Sequence, residues 1–367
     1  MAQRTRVPVD PASQGHLRFL DGLRGLACLW VVLDHLHVDA LAAELPAGVS
    51  RWVFDSGIVG VMVFFVLSGF VIAQSWRDAV PGGASVDAGR IGRFLTRRWM
   101  RLSPPYYVAI ALAVVVTVGG SVVRGDGGQA PSVGSVVAHL AYLPGLVEAE
   151  PINAVFWTLA IEMQFYVGFA LVVWVLQRLA SRSIELEQSA LMVLAVLAAI
   201  WPLRGLELVN QTHLGAYAFA FLSGAFTWWL WQGALDVGLY WLYHVILGAA
   251  WLRWGDPLVG AVVLTGPLLH VATVGDRMQR WLGQRPLQRL GAVSYSLYLV
   301  HAPVIGVVDW FGEQLLGAGA TGQALMILPA VLASLAVATV FHRRVELPAL
   351  TWSRSLRRPV EPVIVTS

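Results

Sequence analysis

Residues 24–35, RGLACLWVVLDH, open an apolar stretch with an arginine and close it with an Asp-His pair. On a helix, about eleven residues at roughly 100° each return to nearly the same face, so Arg24 and His35 share a stripe about 16 Å apart along the axis. An imidazole that titrates near pH 6.5 can take a proton from an attacking hydroxyl, provided something orients its other nitrogen. His35 is therefore a candidate general base, with Arg24 on its stripe. Asp34 points about 100° away and can assist only through a backbone irregularity or a water. Glu162, in FWTLAIEMQFY (156–166), is a second intramembrane carboxylate, one turn before Tyr166. It can fix His35, pair with an arginine, or anchor one helix to another. In GAVSYSLYLVH (291–301) Ser294, Tyr298 and His301 fall at i, i+4 and i+7. That is one helix face, expected to line the same cavity, with a membrane-edge position as the alternative for His301.

The run RFLTRRWMRLSPPYY (93–107) sets Arg97 and Arg101 one turn apart, with Arg98 between them and Pro104-Pro105 where the next apolar run begins. Guanidinium forks suit phosphate, although a basic flank beside anionic lipid has the same composition. FFVLSGF (64–70) puts Ser68-Gly69 mid-run, a small-residue site for close helix approach or a local break. No G-x-S-x-G elbow marks Ser68 as a nucleophile, and an acyl-enzyme on Ser68 or His35 stays open. No Walker loop, dinucleotide fingerprint, H-E-x-x-H or paired Cys/His spacing occurs, so neither a metal nor a bound cofactor is expected.

These residues need a scaffold that tolerates them. The 367-residue chain is 57% hydrophobic and 13% charged, with a mean hydropathy of +0.66, far from a soluble domain. It reads as an integral membrane protein, in which ionisable groups at depth must face a cavity or a partner. Apolar runs fall near 20–38, 57–76, 104–121, 153–177, 188–204, 212–232, 237–254, 257–274, 289–308 and 321–341. The expected fold is an all-α polytopic membrane bundle of about ten transmembrane helices. Arginines at 77, 90, 93, 97, 98 and 101, at 277, 280, 285 and 289, and at 343, 344, 354, 357 and 358 share a side with Arg4 and Arg6. The positive-inside rule then puts both termini in the cytoplasm. The expected division is a cytoplasmic segment 1–19, a membrane domain 20–342 and a short cytoplasmic tail 343–367. The N-terminus lacks the clean apolar core of a cleaved signal and is expected to be retained. With a net charge of +3 and all basic residues Arg, nothing points to nucleic acid; Cys28 is the only cysteine.

Taken in order, DGLRGLACLWVVLDH, FFVLSGF, RRWMRLSPPYY, WTLAIEMQFY and GAVSYSLYLVH resemble the acyltransferase-3 family of integral membrane O-acyltransferases, over about residues 16–350. The first carries an Arg-x10-His opening and the fourth a Trp-Thr-Leu-x-x-Glu-x-x-Phe-Tyr element. The resemblance implies transfer of an acyl group, often acetyl, from cytoplasmic acyl-CoA to hydroxyls of sugars, surface polysaccharides or macrolides. It implies His35 as base, Arg24 as an essential cavity residue, and motif positions at Glu162, Arg97, Arg98 and Arg101. Some members append an SGNH-type domain; the 25 or so residues after the last run are too few for one, which points to the stand-alone branch.

The expectation is therefore an O-acyltransferase of a bacterial inner membrane, with acyl-CoA as co-substrate and a carbohydrate, glycolipid or glycosylated metabolite as acceptor. CoA phosphates would dock near Arg97, Arg98 and Arg101, the arm would pass Arg24 toward His35, and Tyr298, Ser294 or Arg24 would stabilise the oxyanion. Ser68, Tyr166 and His301 complete the candidate binding set. The rival is a proton-coupled transporter or flippase of a glycan or lipid-linked intermediate, which would also carry intramembrane Arg, Asp, Glu and His.

Overall fold

A computed structural model describes residues 17–76, 86–125, 128, 130–180, 184–208 and 212–356. Arg4, Arg6, Arg77, Arg357 and Arg358 of the charge-asymmetry argument lie outside the described residues. All regular structure among the described residues is helical. Each of the ten apolar runs coincides with a long helix: α1 (Arg18–Asp34), α2 (Ile58–Ser75), α3 (Ala88–Arg124), α4 (Trp157–Ala180), α5 (Ile184–Arg204), α6 (Leu214–Trp231), α7 (Val237–Trp254), α8 (Pro257–Ala272), α9 (Arg285–Leu316) and α10 (Ala320–Phe341). Shorter helices, such as Asp39–Glu44, Ala47–Phe54 and Val133–Leu140, lie between them.

Five helical stretches, those holding α2, α3, α4, α9 and α10, are long and apolar enough to cross a membrane by length and composition. Val115 and Val122 on α3, Leu171 on α4, Leu252 on α7, Leu264 on α8 and Leu328 on α10 point outward. Such apolar outer faces around helices that satisfy their own backbone are what a bilayer requires. The chain is a polytopic helical membrane protein.

Helix ends follow local chemistry. Asp87 accepts from the Arg90 N–H at 2.6 Å to start α3, and Asp236 accepts from Gly238 and Leu239 at 2.8 and 3.1 Å to start α7. One element differs from its reading in the sequence. The arginine run is not a flank ahead of a span that begins at Pro104: α3 runs unbroken for 37 residues through Pro104 and Pro105. At 1.5 Å per residue it is about 55 Å long, against a hydrocarbon core of about 30 Å. The prolines remove the donors that would reach the carbonyls of Met100 and Arg101, without ending the helix.

Small residues set the closest helix approaches. A Cβ at Gly69 of α2 would overlap the Phe221 carbonyl of α6, and one at Gly224 of α6 would overlap the Val66 carbonyl of α2. The Ser68-Gly69 site thus serves close approach, and α2 is continuous across it. Gly291 of α9 meets the Asp21 carbonyl of α1 in the same way. Cys28, fully buried at this contact, lies with its Sγ 3.3 Å from the Ser294 carbonyl.

After α10 a π-turn, His342–Glu346, leads into the helix Leu347–Ser355. Glu346 is 5% exposed and accepts from Ser296 Oγ at 2.6 Å and His342 Nδ1 at 2.8 Å. Ser353 Oγ donates to the Arg97 carbonyl at 2.8 Å. These bonds brace α9 and the basic end of α3 from behind.

Candidate active site

α1, α2, α3, α4 and α9 enclose a cavity of about 490 Å³. Along α2 its lining extends from Gln74 to Val61, about 20 Å of helix. One end carries Leu17, Asp21, Gln74, Arg98 and Arg101; the other carries Val61, Phe64, Thr158 and Tyr298. Arg24, Ser68, Glu162, Tyr166 and Ser294 line the wall between them.

Glu162 organises the middle. Its Oε1 accepts from Ser68 Oγ at 3.0 Å, across from α2, and from the Tyr166 hydroxyl one turn on. Tyr166 is 3% exposed, and the Arg98 guanidinium stands 5.7 Å from its ring and 5.6 Å from that of Phe94. Glu162 does not fix His35; it ties α4 to α2 and, through Tyr166, seats Arg98. Arg24 and Arg101 also line the cavity, and neither guanidinium is held by a hydrogen bond or ion pair among the described residues. Two uncommitted cations in one cavity favour an anionic ligand.

The two other oxyanion candidates are committed elsewhere. Ser294 Oγ donates to the Gly291 carbonyl at 2.8 Å, and the Tyr298 hydroxyl meets Thr158 Oγ1 at 2.8 Å and the Val155 carbonyl at 3.4 Å. Arg24 lines the cavity without such a commitment, but about 16 Å along α1 from His35.

His35, Asp34, His301 and Arg97 do not line the cavity, which corrects the expectation that Ser294, Tyr298 and His301 all face it. α1 ends at Asp34, and His35 is its C-cap, at φ −92° and ψ 3°. Its Nδ1 lies 2.8 Å from the Val31 carbonyl. A carbonyl only accepts, so Nδ1 carries the proton and Nε2 is left as the basic nitrogen. The orienting group is thus the Val31 carbonyl. Asp34 stands 3.8 Å from Nδ1, beyond hydrogen-bond range, and accepts from the Gly57 N–H at 2.6 Å at the start of α2. His301, fully buried, packs edge-on to His35 with ring centroids 5.0 Å apart and lies 5.9 Å from the Tyr298 ring. His35 therefore sits beyond the Tyr298 end of the cavity, one imidazole away. The Arg97 carbonyl takes the Ser353 bond.

Sequence reasoning overlooked Thr158, Tyr295 and Glu346. Thr158 lies one turn before Glu162 within the quoted motif, a signal available in the sequence. Tyr295 lines the cavity and donates to the Leu102 carbonyl at 2.8 Å, joining α9 to α3.

Residues 17–343 match the family model described as an acyltransferase domain. The chain belongs to the acyltransferase-3 family. It is an acyltransferase, and this decides against the carrier reading. A Komagataeibacter xylinus protein, BcsY, whose name provisionally makes it a membrane-bound transacylase, is 28% identical over 84% of this chain and 78% of its own length. The peptidoglycan O-acetyltransferase OatA of Listeria monocytogenes is 25% identical over 80% of this chain and 50% of its own. The O-acetyltransferase OatA of Staphylococcus aureus is 23% identical over 92% of this chain and 57% of its own. The chain thus spans about half the length of the two OatA relatives. No solved structure matches it. With these relatives and its apolar helices, the chain is a multi-pass membrane protein of a family that includes O-acetyltransferases.

Proposed function

We propose that the protein transfers an acetyl group from cytoplasmic acetyl-CoA to a hydroxyl of a carbohydrate or glycoconjugate, through a ten-span bundle with both termini in the cytoplasm. The observation that carries this reading is the cavity that runs from Arg98 and Arg101, past Arg24, to Tyr298, with His301 and His35 behind it. CoA phosphates at the arginine end would leave the pantetheine arm extended along the cavity toward the opposite end. The Listeria relative, named a peptidoglycan O-acetyltransferase, supports acetyl as the group and a sugar hydroxyl as acceptor.

In the reaction, the acceptor hydroxyl approaches His35 from the face opposite the arginines. Its oxygen attacks the thioester carbonyl carbon while its proton passes to His35 Nε2, the nitrogen left basic by the Nδ1 bond to Val31. Arg24, about 16 Å from His35 along α1, lies beside the arm of the donor rather than at its carbonyl. The C–S bond then breaks, and the CoA thiolate leaves with the proton from the imidazolium. Base catalysis of this kind contributes about 10² to 10⁴-fold.

The test is transfer from labelled acetyl-CoA in membranes containing wild type or His35→Ala, with extracted glycans and glycolipids as acceptors. Labelling of a hydroxyl-bearing product by wild type, reduced by about 10²-fold or more in equally abundant His35→Ala, supports the reading. Equal labelling by both proteins removes His35 as the base, and no labelling by wild type removes acetyl-CoA as the donor.

A further inference from the structure

We infer that Thr158 is a positioning residue that holds Tyr298 across the end of the cavity, and that the buried Nε2 of His301 is the second acceptor to which Tyr298 turns when the cavity opens toward His35. This rests on the proposed role of the cavity as the donor site.

Proton accounting sets the direction of the bonds. Thr158 Oγ1 donates to the Val155 carbonyl at 2.9 Å, which uses its one proton. Its 2.8 Å contact with the Tyr298 hydroxyl therefore has Tyr298 as donor, with the Val155 carbonyl a longer second contact of the same hydroxyl at 3.4 Å. Tyr298 is 7% exposed, lines the cavity, and packs edge-on against Phe64 with ring centroids 5.8 Å apart. Behind it, His301 Nδ1 lies 3.0 Å from the Leu297 carbonyl and so carries the proton. That leaves His301 Nε2 as an acceptor, and it is buried with no partner. A buried acceptor without a donor is unfavourable, and the ring of Tyr298, whose hydroxyl Thr158 holds, lies 5.9 Å from the His301 ring on the same helix.

In this arrangement Tyr298 lines the cavity while His301, 5.9 Å from its ring, and His35, 5.0 Å beyond His301, do not. Exchange of Thr158 for His301 as the acceptor keeps the Tyr298 proton bonded in both positions. While Thr158 holds the ring, water on the His35 side is kept from the thioester. Attack by water would join its oxygen to the acetyl carbon, break the C–S bond, and release acetate and CoA thiol, wasting the donor.

The test uses the full chain in lipid nanodiscs, with acetyl-CoA alone as probe and 3-fluorotyrosine at position 298 as an independent reporter. Thr158→Val removes the nearer acceptor at nearly constant shape and leaves only the 3.4 Å contact with the Val155 carbonyl. It should raise acceptor-independent CoA release by about 2- to 10-fold, the range of one neutral hydrogen bond, and shift the fluorine resonance. Thr158→Ser should restore both, and His301→Phe added to Thr158→Val should reverse the shift. A fluorine signal that is the same in wild type and Thr158→Val overturns the proposal, as does a shift that survives His301→Phe. If the resonance moves as expected but no protein, wild type included, releases CoA, the switch stands and the donor assignment fails.

Discussion

Glu162 puts two hydroxyl donors on one carboxylate oxygen, and this gives its substitutions a definite ordering. In Glu162→Ala, Ser68 Oγ and the Tyr166 hydroxyl lose their shared acceptor, and Tyr166 is only 3% exposed. Hydrogen bonds to a charged group are each worth about 1.5–3 kcal/mol, so the loss should be about 3–6 kcal/mol of folding free energy. Glu162→Gln keeps an oxygen acceptor without the charge, and about half the loss should remain. Unfolding in mixed detergent micelles would measure both. The sharper assay is a double-mutant cycle between Glu162→Gln and Tyr166→Phe, which should give a coupling of about 1–2 kcal/mol because the pair is in direct contact. Additivity within about 0.3 kcal/mol would refute the shared-acceptor account, as would equal stability of Glu162→Ala and Glu162→Gln. Because Tyr166 seats Arg98, a rise in the KM for the donor should accompany the stability loss.

Gly69→Ala and Gly224→Ala should each cost about 1–3 kcal/mol, because the added methyl meets the backbone carbonyl of Phe221 or Val66; Gly119→Ala, in open space, is the control, and comparable unfolding of all three would sink the argument. On the loop after α1, His37 Nδ1 lies 2.8 Å from Asp309 Oδ2. The hydrogen bond to Asp309 raises the His37 pKa above its ordinary 6.5, against the opposing effect of partial burial. A raised folded value means that the stabilisation is fully present below pH 6.5 and is lost as pH rises through the folded value. Unfolding of wild type and His37→Gln should therefore differ at pH 6 and converge at higher pH, whereas parallel profiles would show that the link adds nothing.

The ten helices are legible in the sequence because hydrophobic length alone marks them. The Arg24–His35 spacing was legible as well, but it assumes a helix that continues through residue 35. Arg24 lines the cavity, whereas His35, the C-cap of α1, does not. Glu162 and Tyr166 are one turn apart and visible as a pair, whereas Ser68, their third member, comes from a helix 94 residues away. Distance along the chain also hides the bond of Thr158 to Tyr298, 140 residues apart. Glu346 sits among arginines, in a stretch that reads as a polar tail. Only the π-turn and Ser296, 50 residues earlier, give its carboxylate a buried place.

The burial of Cys28 has a practical consequence. It is the chain's only cysteine, fully shielded at the contact between α1 and α9. The natural protein is therefore already silent toward water-soluble thiol reagents. Single cysteines introduced at Gly92, on the basic end of α3, and at Leu146, before α4, can report which face of the membrane each occupies, with no background substitution to disturb the fold.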